Sequence, residues 1–233
     1  MTTTDDLNPE DGGVELLATP RHGFQGDRGA VLARPAFPLG PAVAISRETG
    51  ARGATIGRRV GRKLGWQVYD QELLEFMAQD GPAGSSAHDA PADVAAWVEQ
   101  RLQALLREQA VSQHPSIVGL ARVLLLLAAG GNVVLIGRGA GFLLPAESTL
   151  HVRVVAPLAD RIAYMGQALR LSTAEATEHV RQRDARRAEF LATHFHRPPD
   201  DVHQYDLLLN SSRLGEDEAA ELICHAVRAR SRR

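Results

Sequence analysis

The chain has 233 residues, 44% hydrophobic and 23% charged, which is enough for one sizeable core in a soluble globular fold. Its 26 basic and 28 acidic residues leave a formal charge of -2, so no global electrostatic pull toward nucleic acid or membrane is expected. Cys224 is the only cysteine, which excludes an internal disulfide and a cysteine-rich metal site; with a polar, acidic N-terminus that lacks an export signal, it points to the cytoplasm.

Residues 1 to about 40 carry Pro, Gly, Asp and Thr without a sustained apolar period and read as a disordered tail. Val43, Ala44 and Ile45 then form an apolar run suited to a strand covered on both faces. Gly50 and Gly53 follow in a turn that can aim main-chain N–H groups at one spot, and Ile56, Val60 and Leu64 recur at helical spacing beyond it. A helix opening at such a turn presents its dipole end and unpaired N–H groups to an anion, usually phosphate. The pattern G-x-x-x-x-G-K-[ST] is not met: Arg52 is the only cation in the turn, and Thr55 is the nearest hydroxyl. Two glycines after a strand also fit an ordinary tight turn, so the loop alone does not decide between the two readings.

Gln71 to Gln79 reads as a short helix, and Asp80 to Pro91 as a Gly/Ser/Ala/Pro-rich connector. Val94, Trp97, Val98, Leu102, Leu105 and Leu106 mark an amphipathic helix, followed by an apolar one near Val118 to Ala129. Arg122, Gly130, Gly131 and Asn132 interrupt the apolar stretch from Ile117 to Ile136, so a buried helix, a turn and a strand at Val133 to Ile136 fit better than a membrane span. That strand runs into Gly137-Arg138-Gly139-Ala140-Gly141. A dinucleotide fingerprint would need glycine at Phe142 and an acid ending the next strand, Leu150 to Val155, and has neither. Arg138 is the informative residue, because the carboxyl ends of parallel strands are where open α/β sheets bind ligands.

A helix after Pro157 carries Arg161, and a capping box from Ser172 to Glu175 starts a long helix toward Phe195. Arg183 and Arg187 share a face of it, with Arg186 beside them and Asp184 between, a pattern that a solvated charged helix would also show. Tyr205 to Leu209 reads as the last strand and Glu216 to Val227 as the last helix, before a basic tail at 229–233. The alternation implies an α/β fold, a parallel sheet with helices on both faces. His194, His196 and His203 lack a carboxylate constellation of metal-site spacing, and G-x-S-x-G is absent, so metal-centre and α/β-hydrolase readings have no anchor.

Taken in order, the blocks AISRETGARGATIGRRVGRKLG, Tyr69-Asp70, VVLIGRGAGFLL, HVRVVAPLADRI, RQRDARR and YDLLLNSSRLGEDEAAELI resemble the cytidylate kinase-like family, a branch of the P-loop nucleoside monophosphate kinases. The resemblance implies a P-loop domain at 41–228, with a helical acceptor-binding insertion at about 71–131 and an arginine-bearing lid at about 170–200. It implies the reaction ATP + CMP (or dCMP) giving ADP and the diphosphate, with Mg2+. By the same resemblance Gly50, Ala51, Arg52, Gly53, Ala54 and Thr55 would cradle the donor phosphates, with Thr55 on the metal. Arg52, Arg183 and Arg187 would act in catalysis, and Asp70, Arg138, Arg161 and Asp184 would serve the acceptor. Phosphoryl transfer asks mainly for aligned anions and neutralised charge, which agrees with that distribution.

Two departures stand out. Relative to true cytidylate kinases, Gly53 occupies the position of the phosphate-loop lysine and Gly139 that of an aspartate which normally follows the acceptor-site arginine. Many chains of the kinase-like branch also look lysine-free, with a Gly-Ser-Gly-Gly turn in which Arg52 here replaces a glycine. Slow transfer is therefore expected, with Arg52 as the substitute cation. The alternatives are a nucleotide-binding regulator of the same fold and an interaction module whose basic helices meet an acidic partner.

Overall fold

A computed structural model describes residues 37–79 and 90–230 of the chain. Five parallel strands, β1 (Ala42–Arg47), β2 (Gln67–Tyr69), β3 (Val133–Ile136), β4 (Thr149–Val155) and β5 (Leu207–Asn210), form one sheet in the order β2-β3-β1-β4-β5. The connecting helices are α1 (Gly53–Leu64), α2 (Gln71–Gln79), α3 (Ala92–Arg107), α4 (Pro115–Ala129), α5 (Ala140–Leu143), α6 (Leu158–Leu169), α7 (Thr173–Phe195) and α8 (Ser211–Arg230).

Strand periodicity divides the core in two. Val43 and Ile45 of β1 join Ile56 and Val60 of α1 and Ala220, Ile223 and Cys224 of α8 on one face. Ala42 and Ala44 join Leu120, Leu124 and Leu125 of α4, with Leu102 of α3, on the other. Small alanines on that side of β1 leave room for the leucines of α4, which is buried along most of its length. The apolar run therefore belongs to an interior helix, and among the described residues no helix is long and apolar enough to cross a membrane. The basic side of α1 meets α8, where Arg59 pairs with Glu216 at 2.7 Å and Lys63 with Glu221 at 2.6 Å.

Helix α7 starts at the expected capping box: Ser172 Oγ accepts from the Glu175 amide, and Glu175 accepts from the Ser172 amide. Elsewhere the element ends move. The last strand runs from Leu207 to Asn210 rather than from Tyr205 to Leu209, because a 3-10 turn at Val202–Gln204 takes the Tyr205 amide onto Val202 O. A helical turn at 211–214 precedes the last helix, and the chain leaves helical geometry at Gly215 (φ 75°), so that helix resumes at Glu216 as expected. Ala229 and Arg230, expected in a basic tail, continue α8; the Arg230 guanidinium donates to Thr149 O and to the Asp206 carboxylate. At the other end, the Leu39 amide bonds Ala129 O, so residues 37–40 contact α4 rather than belonging wholly to a tail. The expectations for residues 1–36, for 80–89 of the connector and for 231–233 fall outside the described residues.

Candidate functional site

Parallel strands release their loops at one edge, and the carboxyl ends of β1, β3 and β4 there face α7 across a cavity of about 590 Å³. Its wall includes Arg47 from β1, Arg138 after β3, Arg153 from β4, and Arg183, Arg186 and Arg187 from α7. Glu48, Asp184 and Asp200 are the carboxylates of the same wall. Two of these are engaged elsewhere. Buried Arg161 of α6 reaches Asp184 at 2.5 Å, Glu48 at 3.3 Å, Thr49 O at 3.2 Å and Ala156 O at 3.0 Å.

The excess of guanidinium groups shows in their proton affinity. Burial, then the neighbouring charges of Arg187, Arg138 and Arg183, bring Arg47 down to about 9. Burial and Arg183 bring Arg187 down to about 10, and burial also lowers Arg138. Arg138 is partly compensated by Glu75 of α2 and lies over the Phe190 ring at 4.8 Å. Among the described residues no carboxylate lies within ion-pair distance of Arg47; its one hydrogen bond goes to Gln71 Oε1 at 3.3 Å.

The glycine turn is built as a loop into α1. Gly50 takes φ 82°, and a Cβ there would lie 2.6 Å from Arg161 O, so this position admits only glycine without rearrangement. Arg52 is left-handed (φ 58°) and precedes the first helical residue, Gly53. The amides of Gly53, Ala54 and Thr55 open the helix and have no intrahelical acceptor. One loop amide is already engaged: Thr49 N donates to Asp184 Oδ1 at 2.8 Å, while Arg187 Nη1 donates to Thr49 Oγ1 at 2.6 Å. Helix α7 is thus pinned to the loop.

Of the residues named from the sequence, the structure brings Arg138, Arg183, Asp184 and Arg187 to one cavity, with Arg161 behind them. Gly50, Ala51, Gly53, Ala54 and Thr55 form the loop and the first turn of α1. Arg52, expected to serve the phosphates, lies over the Tyr164 ring at 5.1 Å, and none of residues 50–55 lines the cavity. Asp70 is also off that wall; it pairs with Arg58 at 3.1 Å and caps α2 through the Leu73 amide. Arg47, Arg153, Ser46 and Gln71 were missed. For Arg47 a signal existed, since it ends a central strand just as Arg138 follows one.

Among the described residues no cluster of three His, Cys, Asp or Glu could cage a metal. Thr55, expected on a metal, stands in the first turn of α1, and the nearest loop carboxylate, Glu48, is held by Arg161 and the Ala156 amide.

No curated protein matches the chain. Among solved structures, an uncharacterized protein from Eubacterium ventriosum shares the fold with a TM-score of 0.62 at 14% identity, over 81% of this chain and 99% of that one. A shikimate kinase from Bacteroides thetaiotaomicron aligns at 15% identity and TM-score 0.45, over 81% and 98% of the two chains. One from Acinetobacter baumannii, in complex with shikimate, aligns at 13% and 0.46, over 82% and 95%. The fold, an α/β arrangement of a parallel sheet flanked by helices, is shared with that uncharacterized protein. Residues 42–213 match the cytidylate kinase-like family, from the first strand to the start of the last helix, and on that match the chain belongs to this family.

Proposed function

We propose that the protein is an ATP-dependent phosphotransferase acting on a small anionic acceptor, with CMP or dCMP the first candidate, in the cytoplasm. The observation that carries this reading is the excess of arginine at the strand ends. Burial and neighbouring arginines lower the proton affinity of Arg47 and Arg187, burial lowers that of Arg138, all three bear on a cavity large enough for a nucleotide, and Arg47 has no carboxylate within ion-pair distance among the described residues. Such a group of cations is stabilised by a polyanion.

Each part of the site has work to do in a transfer between two phosphate-bearing molecules. The open amides of Gly53, Ala54 and Thr55 hold donor phosphate oxygens at the positive end of α1. Arg138, steadied by Glu75 and Phe190, is placed for the acceptor, and Arg183 and Arg187 cover the phosphates from α7. Magnesium, when bound with the nucleotide, would supply charge neutralisation on the transferring group, and Thr55 in the first turn of α1 would hold it. Incubating the purified chain with ATP, magnesium and each nucleoside monophosphate in turn tests the reading: a diphosphate product with CMP or dCMP upholds it, and no product with any acceptor removes it.

A further inference from the structure

We propose that Arg47 is the catalytic cation of the phosphate site, supplying from the end of β1 the charge that a lysine on the first turn of α1 supplies in phosphate loops of ordinary spacing. This deepens the kinase reading and rests on it.

The geometry of Gly53 is the starting point. A Cβ at Gly53 would lie 2.6 Å from Arg47 Cβ and 3.1 Å from Arg47 Cγ. The stem of Arg47 therefore fills the space through which any side chain at position 53 would leave the helix. Glycine there is the complement of Arg47, and the absent lysine and the present arginine are two sides of one exchange. Farther out, the guanidinium lies against Gly137, where a Cβ would collide with Nη1. Its bond to Gln71 Oε1 then fixes the head between the ends of β1 and β3, on the cavity wall.

Charge decides what that head can bind. The carboxylate next to it in sequence, Glu48, is held by Arg161 and the Ala156 amide. The cations around Arg47 are Arg138, Arg183 and Arg187, against one more distant carboxylate, Asp70, which pairs with Arg58, so an anion is still missing at the head. Arg52, the only cation of the turn itself, lies on Tyr164 instead. In the transfer, an oxygen of the acceptor's phosphate dianion bonds to the terminal phosphorus of ATP as the bond from that phosphorus to the bridging oxygen breaks. The products are ADP and the acceptor diphosphate, and no proton has to leave the acceptor. The Arg47 N–H donors contact the equatorial oxygens of the group in flight, where charge spreads.

The test uses the full chain and the variants Arg47→Gln, Arg47→Ala and Arg47→Gly/Gly53→Lys. Turnover with ATP, magnesium and CMP should fall roughly 30- to 1000-fold in kcat in both single variants. The double variant should recover at least about tenfold of that loss, because glycine at 47 removes the Cβ as well as the stem and so opens the path for lysine. ATP affinity, read by calorimetry, should fall in the single variants and return in the double one. If Arg47→Ala does not fold, Arg47→Gln, which keeps the stem against Gly53, gives the same reading. Single variants that turn over CMP and bind ATP like the parent overturn the proposal. If the parent itself turns over no acceptor, the kinase reading falls, and ATP binding alone decides about Arg47: unchanged affinity in Arg47→Gln overturns it, and a loss restored by the double variant upholds it.

Discussion

Arg161 shows how one buried side chain can organise a loop. Its guanidinium serves two backbone carbonyls, Thr49 O and Ala156 O, and two carboxylates, Glu48 and Asp184. Replacing it with methionine keeps the stem and leaves those acceptors unpaired. The expected cost is about 2 to 4 kcal/mol in urea denaturation, and a loss within 0.5 kcal/mol of zero would show that water satisfies them. His151 makes a second residue-scale case. It is 6% exposed, with Nε2 3.1 Å from Ser46 Oγ, and faces Phe142, Arg153, Gln204, Tyr205 and Asp206. Burial, the leading cause, depresses it from 6.5 to about 4. Between those values the unfolded chain takes up a proton that the folded chain refuses, so stability present above pH 6.5 is lost as pH falls toward 4. Relative to the parent, His151→Gln should lose about 2 to 3 kcal/mol less between pH 7 and pH 4.5, measured by urea melts at both. Parallel losses in the two proteins would contradict this. Neither Arg161's four acceptors nor His151's burial is visible in sequence, because both depend on residues brought together from distant parts of the chain. Arg138 was legible from its position after an apolar strand. Arg47 had the same position and was passed over, since its direction depends on how Gly53 and Gly137 pack.

At the scale of elements, the turn after β3 and the end of α7 explain the second departure from the family pattern. Gly139 takes φ 70°, and a Cβ there would lie 2.5 Å from the Phe195 ring. Phe195 is fully buried and stacks near Phe142 and Phe190. An aspartate at 139 would have to displace that ring, so the loss of the acid and the docking of α7's last turn belong together. Gly139→Asp should destabilise by about 2 to 4 kcal/mol and speed amide exchange through residues 190–195. A thermally neutral variant would mean that Phe195 moves aside at little cost. Strand cores and helix faces were readable because their periodicity is local: β3 and α2 have the ends expected of them. The start of β5 was not, because the 3-10 turn before it has no apolar period, and the helical turn ahead of Gly215 was hidden by the polar Ser211, Ser212 and Arg213.

For the molecule as a whole, sheet order and cavity form one design. The order β2-β3-β1-β4-β5 puts β1 at the centre, so that its outgoing loop meets the loop after β3 on one side and that after β4 on the other. Both cores sit on the faces of the sheet and leave its carboxyl edge to polar groups. Alternation along the chain was enough to infer the parallel sheet, whereas the way α7 crosses the edge rests on single contacts. One of these has a consequence for ligand binding. Asp184 holds the Thr49 amide at 2.8 Å, so the loop carries an anion of its own. A tethered carboxylate acts as a competitor at millimolar effective concentration that dilution cannot remove. On the proposed function, a polyphosphate that takes the Thr49 amide would show an affinity net of displacing Asp184. Asp184→Asn keeps an acceptor for the amide but removes the charge, and should tighten ATP binding about tenfold by calorimetry. Unchanged or weaker binding would make Asp184 a support of the loop. Tighter binding would mean that the empty protein holds itself in a self-liganded state, and that opening α7 and admitting the nucleotide are a single exchange of anions.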